Sequence, residues 1–309
     1  MPQLKEFTFP SCDGEHTIYV RQWNPDGEVR AVVQIAHGVA EHIRRYDEFM
    51  EYLAERGFVV AGNDHLGHGW SVRDETELGY FGEEDGWSKV VGDLHRLHCR
   101  LKKEYPGVPV FLFGHSMGSF LARTYATMQG EDLDGLIVCG TGHQPKSLVL
   151  SGGAAAKLEI ALHGAGYHSQ LLNDMAFGSY NKGFAPARTK NDWLSRDETI
   201  VDAYTADPLC GYIPTAGLFY ELMRGIGYVT TKKNIRRMPK DLPVLFVSGA
   251  EDPVGENGKG VLRAYLTFMD VGMEDVTMRL FEKDRHEILN ELDKEDVYAY
   301  VLAWLEKYV

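Results

Sequence analysis

The segment Gly114-His115-Ser116-Met117-Gly118 has the residue types and the spacing for nucleophilic chemistry. It follows an apolar run typical of a buried strand and precedes a segment of helical period. A serine at the apex of such a strand–turn–helix unit lies on a strained turn, where the residues two before and two after it must be nearly without side chains. Gly114 and Gly118 meet this requirement. The pattern therefore predicts Ser116 as the nucleophile of an acyl-transfer reaction.

A serine nucleophile needs a histidine to accept its proton and a carboxylate to orient that histidine, and in this context they follow in the order serine, acid, histidine. Four of the 12 histidines come after Ser116, namely His143, His163, His168 and His286. The first three lie in a region without strand signals, so we predict His286, just beyond a predicted strand, as the base. The loop after the strand at 244–247 offers both Glu251 and Asp252. We favour Asp252, because a residue before proline is held extended and aims its carboxylate steadily.

Acyl transfer also needs two hydrogen-bond donors for the oxyanion of the transition state. The amide of Met117, directly after the nucleophile, is the first predicted donor. The second comes from a loop after an early strand, and we predict the Val39 amide in the segment 37–42. We interpret His37, Glu41 and His42 as groups that shape this loop and not as catalytic residues.

Elements that can position these residues are visible as short β-branched runs alternating with helical segments, which is typical of an α/β domain with a mostly parallel sheet. Residues 17–23 alternate like a half-exposed antiparallel edge strand, whereas residues 31–36 are continuously apolar, as in a strand covered on both faces. Between about residues 142 and 227 there is no clear strand, and a loop of that length is improbable. We predict a core of residues 1–142 and 228–309, with residues 143–227 inserted as a helical cap.

Composition excludes several functional classes. The 32 Lys and Arg against 45 Asp and Glu give a net charge of −13, which repels phosphate backbones, so we expect no nucleic-acid partner. The four cysteines lack a CxxC pair and no apolar run reaches about 20 residues, so we expect reduced thiols, no stable membrane insertion and a cytoplasmic location. His65 and His68 lack a companion carboxylate pattern and no GxGxxG follows a strand, so we expect no metal and no cofactor.

Segments 191–198 and 206–211 resemble the bacterial members of a known family. Five further motifs, taken in order, resemble the family itself, the monoacylglycerol lipase and lysophospholipase branch of the α/β-hydrolases, also described as serine aminopeptidase-like. They are His37–His42 with Arg45-Tyr46, Asp64–Gly69 with Ser71, Gly114–Gly118, Asp252-Pro253-Val254 and Arg285-His286-Glu287. The resemblance covers essentially the whole chain. It implies an α/β-hydrolase fold, a Ser116–Asp252–His286 triad, oxyanion donors at Val39 and Met117, and a helical cap over an acyl-binding pocket. Ala40 departs from the family pattern, because the lipase loop usually has a second glycine there.

The residues and the resemblance together predict a serine hydrolase that cleaves carboxylic esters of single acyl chains, such as monoacylglycerols or lysophospholipids, through an acyl-enzyme. Leu148, Phe177 and Trp193 of the cap are candidates for contact with this small-molecule substrate. A peptidase or amidase on the same fold remains an alternative, because acidic cap residues such as Asp174, Asp192 and Asp197 could bind an amine. A non-catalytic ligand-binding protein on this scaffold is disfavoured by the complete set of catalytic residue types.

Overall fold

The computed structural model describes residues 1–309 and contains one eight-stranded sheet. The strands are β1 Gln3–Pro10, β2 Thr17–Asn24, β3 Ala31–Ala36, β4 Phe58–Asn63, β5 Val110–His115, β6 Gly135–Cys139, β7 Val244–Gly249 and β8 Val276–Phe281. Their order across the sheet is β1-β2-β4-β3-β5-β6-β7-β8. β2 runs antiparallel to both its neighbours and all other pairs are parallel, which confirms the predicted mostly parallel sheet.

Ten α-helices connect and cover the strands. They are α1 Asp47–Ala54, α2 Gly86–Glu104, α3 Met117–Gln129, α4 Lys146–His163, α5 Gln170–Phe177, α6 Glu198–Ala206, α7 Ala216–Val229, α8 Lys232–Ile235, α9 Lys259–Asp270 and α10 Lys294–Leu305. Short 3₁₀ turns lie at Ile43–Tyr46, Gly69–Ser71, Glu75–Glu77, Gly130–Asp132, Tyr180–Phe184 and Ile288–Asn290. None of the helices has the length and apolar character needed to span a bilayer.

The two faces of the sheet are buried by separate helix layers. α1 and α10 cover one face, where Phe49 and Trp304 pack with strand residues such as Phe113. The helices α2, α3 and α9 cover the other face, where Leu121 packs with residues such as Leu112. Successive residues of β5 therefore point into two different cores, which explains why its sequence is continuously apolar.

The prediction that residues 17–23 form an edge strand is wrong. β1 pairs along the full length of β2, with Phe7 opposite Val20, so the edge of the sheet is β1. The alternation in β2 instead reflects partial cover of one face, where Arg21 forms an ion pair with Asp47 at the start of α1. β1 itself carries few apolar residues, and its sequence signal is correspondingly weak.

All regular elements between β6 and β7 are helical, and the one β-bridge there joins His168 to Thr215. The last of the long helices, α7, packs Leu218 and Leu222 into the core layer that contains α3. The predicted boundary at residue 227 falls within this helix. The division into a core and a cap at residues 143–227 stays a prediction.

The turn between β5 and α3 has the close packing that the glycine spacing predicts. Ser116 adopts φ 53° and ψ −121°, a conformation rarely accessible to residues other than glycine. A Cβ on Gly118 would lie 2.0 Å from the Ala36 carbonyl oxygen, and one on Gly114 would lie 2.3 Å from the Gly118 carbonyl oxygen. Both glycines are required because backbone occupies the space of a side chain.

We expect Gly118→Ala to destabilise the fold by about 3 kcal/mol or more, because the new methyl group can be accommodated only if β3 and α3 separate. Urea unfolding monitored by circular dichroism measures the effect. Gly166→Ala is the matched control, since a Cβ there meets no atom within 4 Å. Equal stability of the two variants would contradict the close approach.

Candidate active site

His286 and Asp252 lie side by side in the loops after β8 and β7. The Nδ1 atom of His286 is 3.0 Å from each carboxylate oxygen of Asp252, and both side chains are buried. Asp252 also accepts hydrogen bonds from the Val254 amide and the Ser248 hydroxyl, at 2.9 and 3.2 Å. The carboxylate is thereby fixed and holds the imidazole with its Nε2 atom free for a second partner. Glu251, the rejected alternative, is exposed and has no such contact.

Two aromatic rings pack against His286. The ring centroid of His115 is 4.6 Å away and that of Trp193 is 5.1 Å away. Burial alone would lower the pKa of His286, but the nearby carboxylates, led by Asp252 and followed by Glu287, outweigh burial and raise it above the ordinary value. Burial and the neighbouring His286 hold the pKa of His115 well below its usual range, so the two rings do not compete for a proton.

The two predicted oxyanion donors have unoccupied amides. Met117 is the first residue of α3, so its N–H has no acceptor within its own helix. The amide of Val39 has no backbone acceptor either. Both residues line the same cavity as Ser116 and His286. This arrangement can accept a carbonyl carbon beside the serine and a developing oxyanion beside the amides.

The loop that carries Val39 is held by a contact within the loop and by residues between β6 and β7. Within the loop, the Gly38 amide donates to the Glu41 carboxylate at 2.6 Å. Ala40 has φ 54°, which supplies the left-handed conformation without the expected glycine. Its carbonyl accepts hydrogen bonds from the Gly211 amide at 2.9 Å and the Tyr204 hydroxyl at 3.0 Å. These two contacts hold the Ala40 carbonyl in place.

Arg45 joins this loop to the histidine loop. Its guanidinium donates twice to Glu287, both at 2.6 Å, and once to Glu41 at 2.9 Å. Burial alone would raise the pKa of Glu287, but Arg45 outweighs it and holds this pKa below its usual range. Burial raises the pKa of Glu41. The sequence indicated Arg45 only as part of a motif, and its linking role was not predicted.

A buried histidine cluster supports the start of the oxyanion loop (residues 37–42), which is named for the proposed role of the Val39 amide. The His65 amide donates to Nε2 of His37 at 3.0 Å, so the His37 proton resides on Nδ1, which donates to the Gly38 carbonyl at 2.7 Å. Burial lowers the pKa of His65 to about 3 and that of His68 to about 4. His42 lies at the other end of the loop and contacts Asp207 of the cap at 2.8 Å. These contacts agree with a loop-shaping role for His37 and His42.

A cavity of about 430 Å³ opens between the sheet and the helices that follow β6. The three cap residues proposed for substrate contact, Leu148, Phe177 and Trp193, all line it. Hydrophobic residues make up 21 of its 37 lining positions, so its walls suit an apolar chain.

The acidic cap residues have different surroundings. Asp192 accepts hydrogen bonds from the amides of Arg188 and Thr189, and Asp197 accepts the Thr199 amide at the start of α6. Neither lines the cavity, whereas Asp174 does and is exposed there. Only one of the three could meet an amine in the cavity.

Solved structures identify the class of protein. A thermostable carboxyl esterase from Bacillus coagulans, determined in complex with glycerol, has a TM-score of 0.92 to this chain, covers 99% of it and 98% of its own length, and is 29% identical. The molecule is an α/β-hydrolase, as the sequence predicted.

The family follows from the sequence comparisons. A family profile described as serine aminopeptidase, S33 matches residues 27–293, and the chain belongs to this family. Monoglyceride lipase from Rattus norvegicus is 30% identical, with 91% of this chain and 83% of the rat protein aligned. Monoacylglycerol lipase from Mycolicibacterium smegmatis is 28% identical, with 97% of this chain and 96% of its own length aligned. The predicted branch and the predicted class, a carboxylic ester hydrolase, are confirmed; the roles of individual residues stay predictions.

The electrostatics of His286 lead to a pH prediction. The imidazole must be neutral to accept a proton, and its pKa is raised, so kcat/KM should increase with pH through one ionisation with a midpoint above about 6.5. Asp252→Asn removes the principal charge that raises this pKa. We expect this variant to shift the midpoint to lower pH and to reduce kcat about 10⁴-fold.

The pH profile of ester hydrolysis, measured under initial-rate conditions, tests both statements. Glu251→Gln is the matched control and should leave the midpoint and kcat unchanged, because Glu251 is exposed and does not contact His286. A larger loss of kcat in Glu251→Gln than in Asp252→Asn would show that Asp252 is not the acid.

Proposed function

We propose that the protein hydrolyses carboxylic esters of single acyl chains, with Ser116 as nucleophile, His286 as general base and Asp252 as the group that orients it. One observation carries the proposal. Ser116, His286 and the two unoccupied amides of Val39 and Met117 all line one mostly apolar cavity. Nucleophile, base, oxyanion donors and a compartment for an acyl chain are thus combined at a single place.

The proposed reaction has two halves. His286 Nε2 accepts the hydroxyl proton as Ser116 attacks the ester carbonyl, and the Val39 and Met117 amides stabilise the tetrahedral oxyanion. The same proton is passed to the leaving alcohol, which leaves an acyl group on the serine. Water then attacks this acyl-enzyme with its proton passing to His286. The bond between the acyl carbon and Ser116 Oγ breaks, His286 returns the proton to Oγ, and the carboxylic acid is released. Asp252 stabilises the imidazolium in both halves and keeps its tautomer, without accepting the proton.

The substrate class is inferred from the walls of the cavity. The apolar lining favours an acyl chain, each buried methylene contributing about 0.8 kcal/mol before strain and ordering costs. The relatives named monoglyceride lipase and monoacylglycerol lipase support a glycerol monoester, and a lysophospholipid-like ester is the other single-chain candidate. The location in the cytoplasm stays a prediction, supported by four cysteines that form no disulfide.

A peptidase or amidase is the second candidate, because the matching family profile is described as a serine aminopeptidase. That activity requires a group that recognises a free amine near the scissile bond. Asp192 and Asp197 are engaged in local hydrogen bonds, and the carboxylate of Asp174 already accepts a bond from Gln170 at 2.7 Å. These contacts favour the esterase.

We expect Ser116→Ala to abolish covalent labelling by a fluorophosphonate probe and to reduce ester turnover by about 10⁴-fold or more, with the fold unchanged. The variant removes the attacking oxygen and little packing. Ser88→Ala is the control, because Ser88 is an exposed serine on α2 outside the cavity. Retention of a tenth of the activity in Ser116→Ala would refute the assignment of the nucleophile.

We expect kcat/KM for p-nitrophenyl and glycerol monoesters to rise from acetyl to medium-chain acyl groups, by at most about fourfold per methylene. Triacylglycerol and aminoacyl amides should be poor substrates. Ala176→Phe should reduce cleavage of decanoyl esters and spare acetyl esters, because Ala176 lines the cavity. Ala161→Phe on the exposed side of α4 is the matched control. A flat chain-length series with faster cleavage of aminoacyl amides would favour the peptidase.

A further inference from the structure

The loop that carries His286 is held mainly by contacts outside itself. We define the base loop as residues 282–293, which connect β8 to α10, and the cap strap as residues 191–196, which lie just before α6. Two backbone hydrogen bonds join them, from the His286 amide to the Trp193 carbonyl at 3.3 Å and from the Glu287 amide to the Leu194 carbonyl at 2.8 Å. The backbone of the predicted base is therefore paired directly with the cap.

Arg196, at the end of the cap strap, binds the carboxylates of the base loop. Its Nε donates to Glu291 at 2.9 Å, and its Nη2 donates to Asp284 at 2.5 Å and also to Asp293. Glu291 in turn accepts the amide of Arg285 at 2.8 Å, one residue before His286. A chain of contacts thus runs from a cap guanidinium to the backbone that carries the imidazole.

The charges in this cluster make the contact hard to replace. Asp284 and Glu291 are 0% and 1% exposed, and Arg196 is the only cation that forms an ion pair with either. Burial and the neighbouring carboxylates raise the pKa of Asp284 to about 8 even with Arg196 in place. Loss of this guanidinium would force the buried acidic groups to take up protons or to move, and either outcome changes the hydrogen bonds that hold the base loop. Arg45 binds Glu287 from the core, so the base loop is held between one arginine of the core and one of the cap.

We propose that Arg196 is a positioning residue for the reaction: it holds the base loop so that His286 lies at the productive distance from Ser116. The proposal depends on the role of His286 as base, which belongs to the proposed function. It differs from a role in the acyl pocket. The cap strap also places Trp193 and Leu194 on the cavity wall, and a loss of their contact with the acyl chain alone would affect long acyl chains more than short ones.

The test compares two substrates in one variant. Arg196→Gln should reduce kcat about 10²-fold for both acetyl and decanoyl p-nitrophenyl esters, with little change in KM, because a misplaced base slows every substrate. Arg188→Gln is the matched control, since this cap arginine pairs with Glu198 and Asp202 of α6 and not with the base loop. A loss confined to the decanoyl ester, or a kcat within twofold of the parent enzyme, would overturn the proposal.

A second set of variants distinguishes a misplaced His286 from an unfolded protein. Arg196→Lys keeps the charge but cannot bridge Glu291 and Asp284 through separate guanidinium nitrogens, so kcat should fall between those of the parent and Arg196→Gln. The double variant Arg196→Gln with Glu291→Gln removes one buried carboxylate together with its partner. Thermal unfolding followed by circular dichroism identifies the variants that fold. If Arg196→Gln does not fold, the same two-substrate comparison on Arg196→Lys decides.

A spectroscopic signature separates positioning from stability. The low-field resonance expected of the His286 Nδ1 proton, which is hydrogen-bonded to Asp252, should shift or broaden in folded Arg196→Lys and remain unchanged in Arg188→Gln. An unchanged resonance with parent kcat would overturn the proposal. Failure of the proposed function is distinguished by Ser116→Ala: if that variant retains turnover, the nucleophile is wrong whatever Arg196 does.

Discussion

The first turn of α3 lies so close to the end of β3 that backbone fills the space of a side chain at Gly118. This contact fixes two things at once. It forces Ser116 into a strained conformation with its side chain at the edge of the sheet, and it brings the Met117 amide beside the loop that leaves β3. The proposed nucleophile and the first proposed oxyanion donor are therefore positioned by one steric constraint.

Buried ion pairs also determine how the loops around the site are arranged. One guanidinium, Arg45, serves two carboxylates, Glu41 on the oxyanion loop and Glu287 on the base loop. Because Glu287 remains ionised, its charge adds to that of Asp252 at His286, which is why the imidazole pKa is raised despite complete burial. The same ion network thus sets the geometry of two loops and the proton affinity of one side chain.

The sequence was sufficient to predict the residues whose placement depends on local steric requirements and on their order along the chain. The glycine spacing around Ser116 and the position of His286 after the last strand are local signals, and the structure brings the matching residues to one cavity. β1 was not predicted, because charged residues interrupt the alternation of apolar and polar residues along this strand. The role of Arg196 was also not predicted. The carboxylates that it binds are nearly a hundred residues away in the chain, and no local sequence pattern indicates such a pairing.

The segment between β6 and β7 contacts both loops that carry proposed catalytic groups: Tyr204 and Gly211 bind the Ala40 carbonyl, and the cap strap binds the base loop. By contrast, α4 and α5 line the cavity without a hydrogen bond to either loop. Sequence divergence among relatives should accordingly be uneven. The helices α4 and α5 can change so that the cavity accepts other acyl groups, whereas the strap can change only together with the loops it supports. A cap transplanted from a relative would bring its substrate preference but lose turnover unless those supporting contacts came with it.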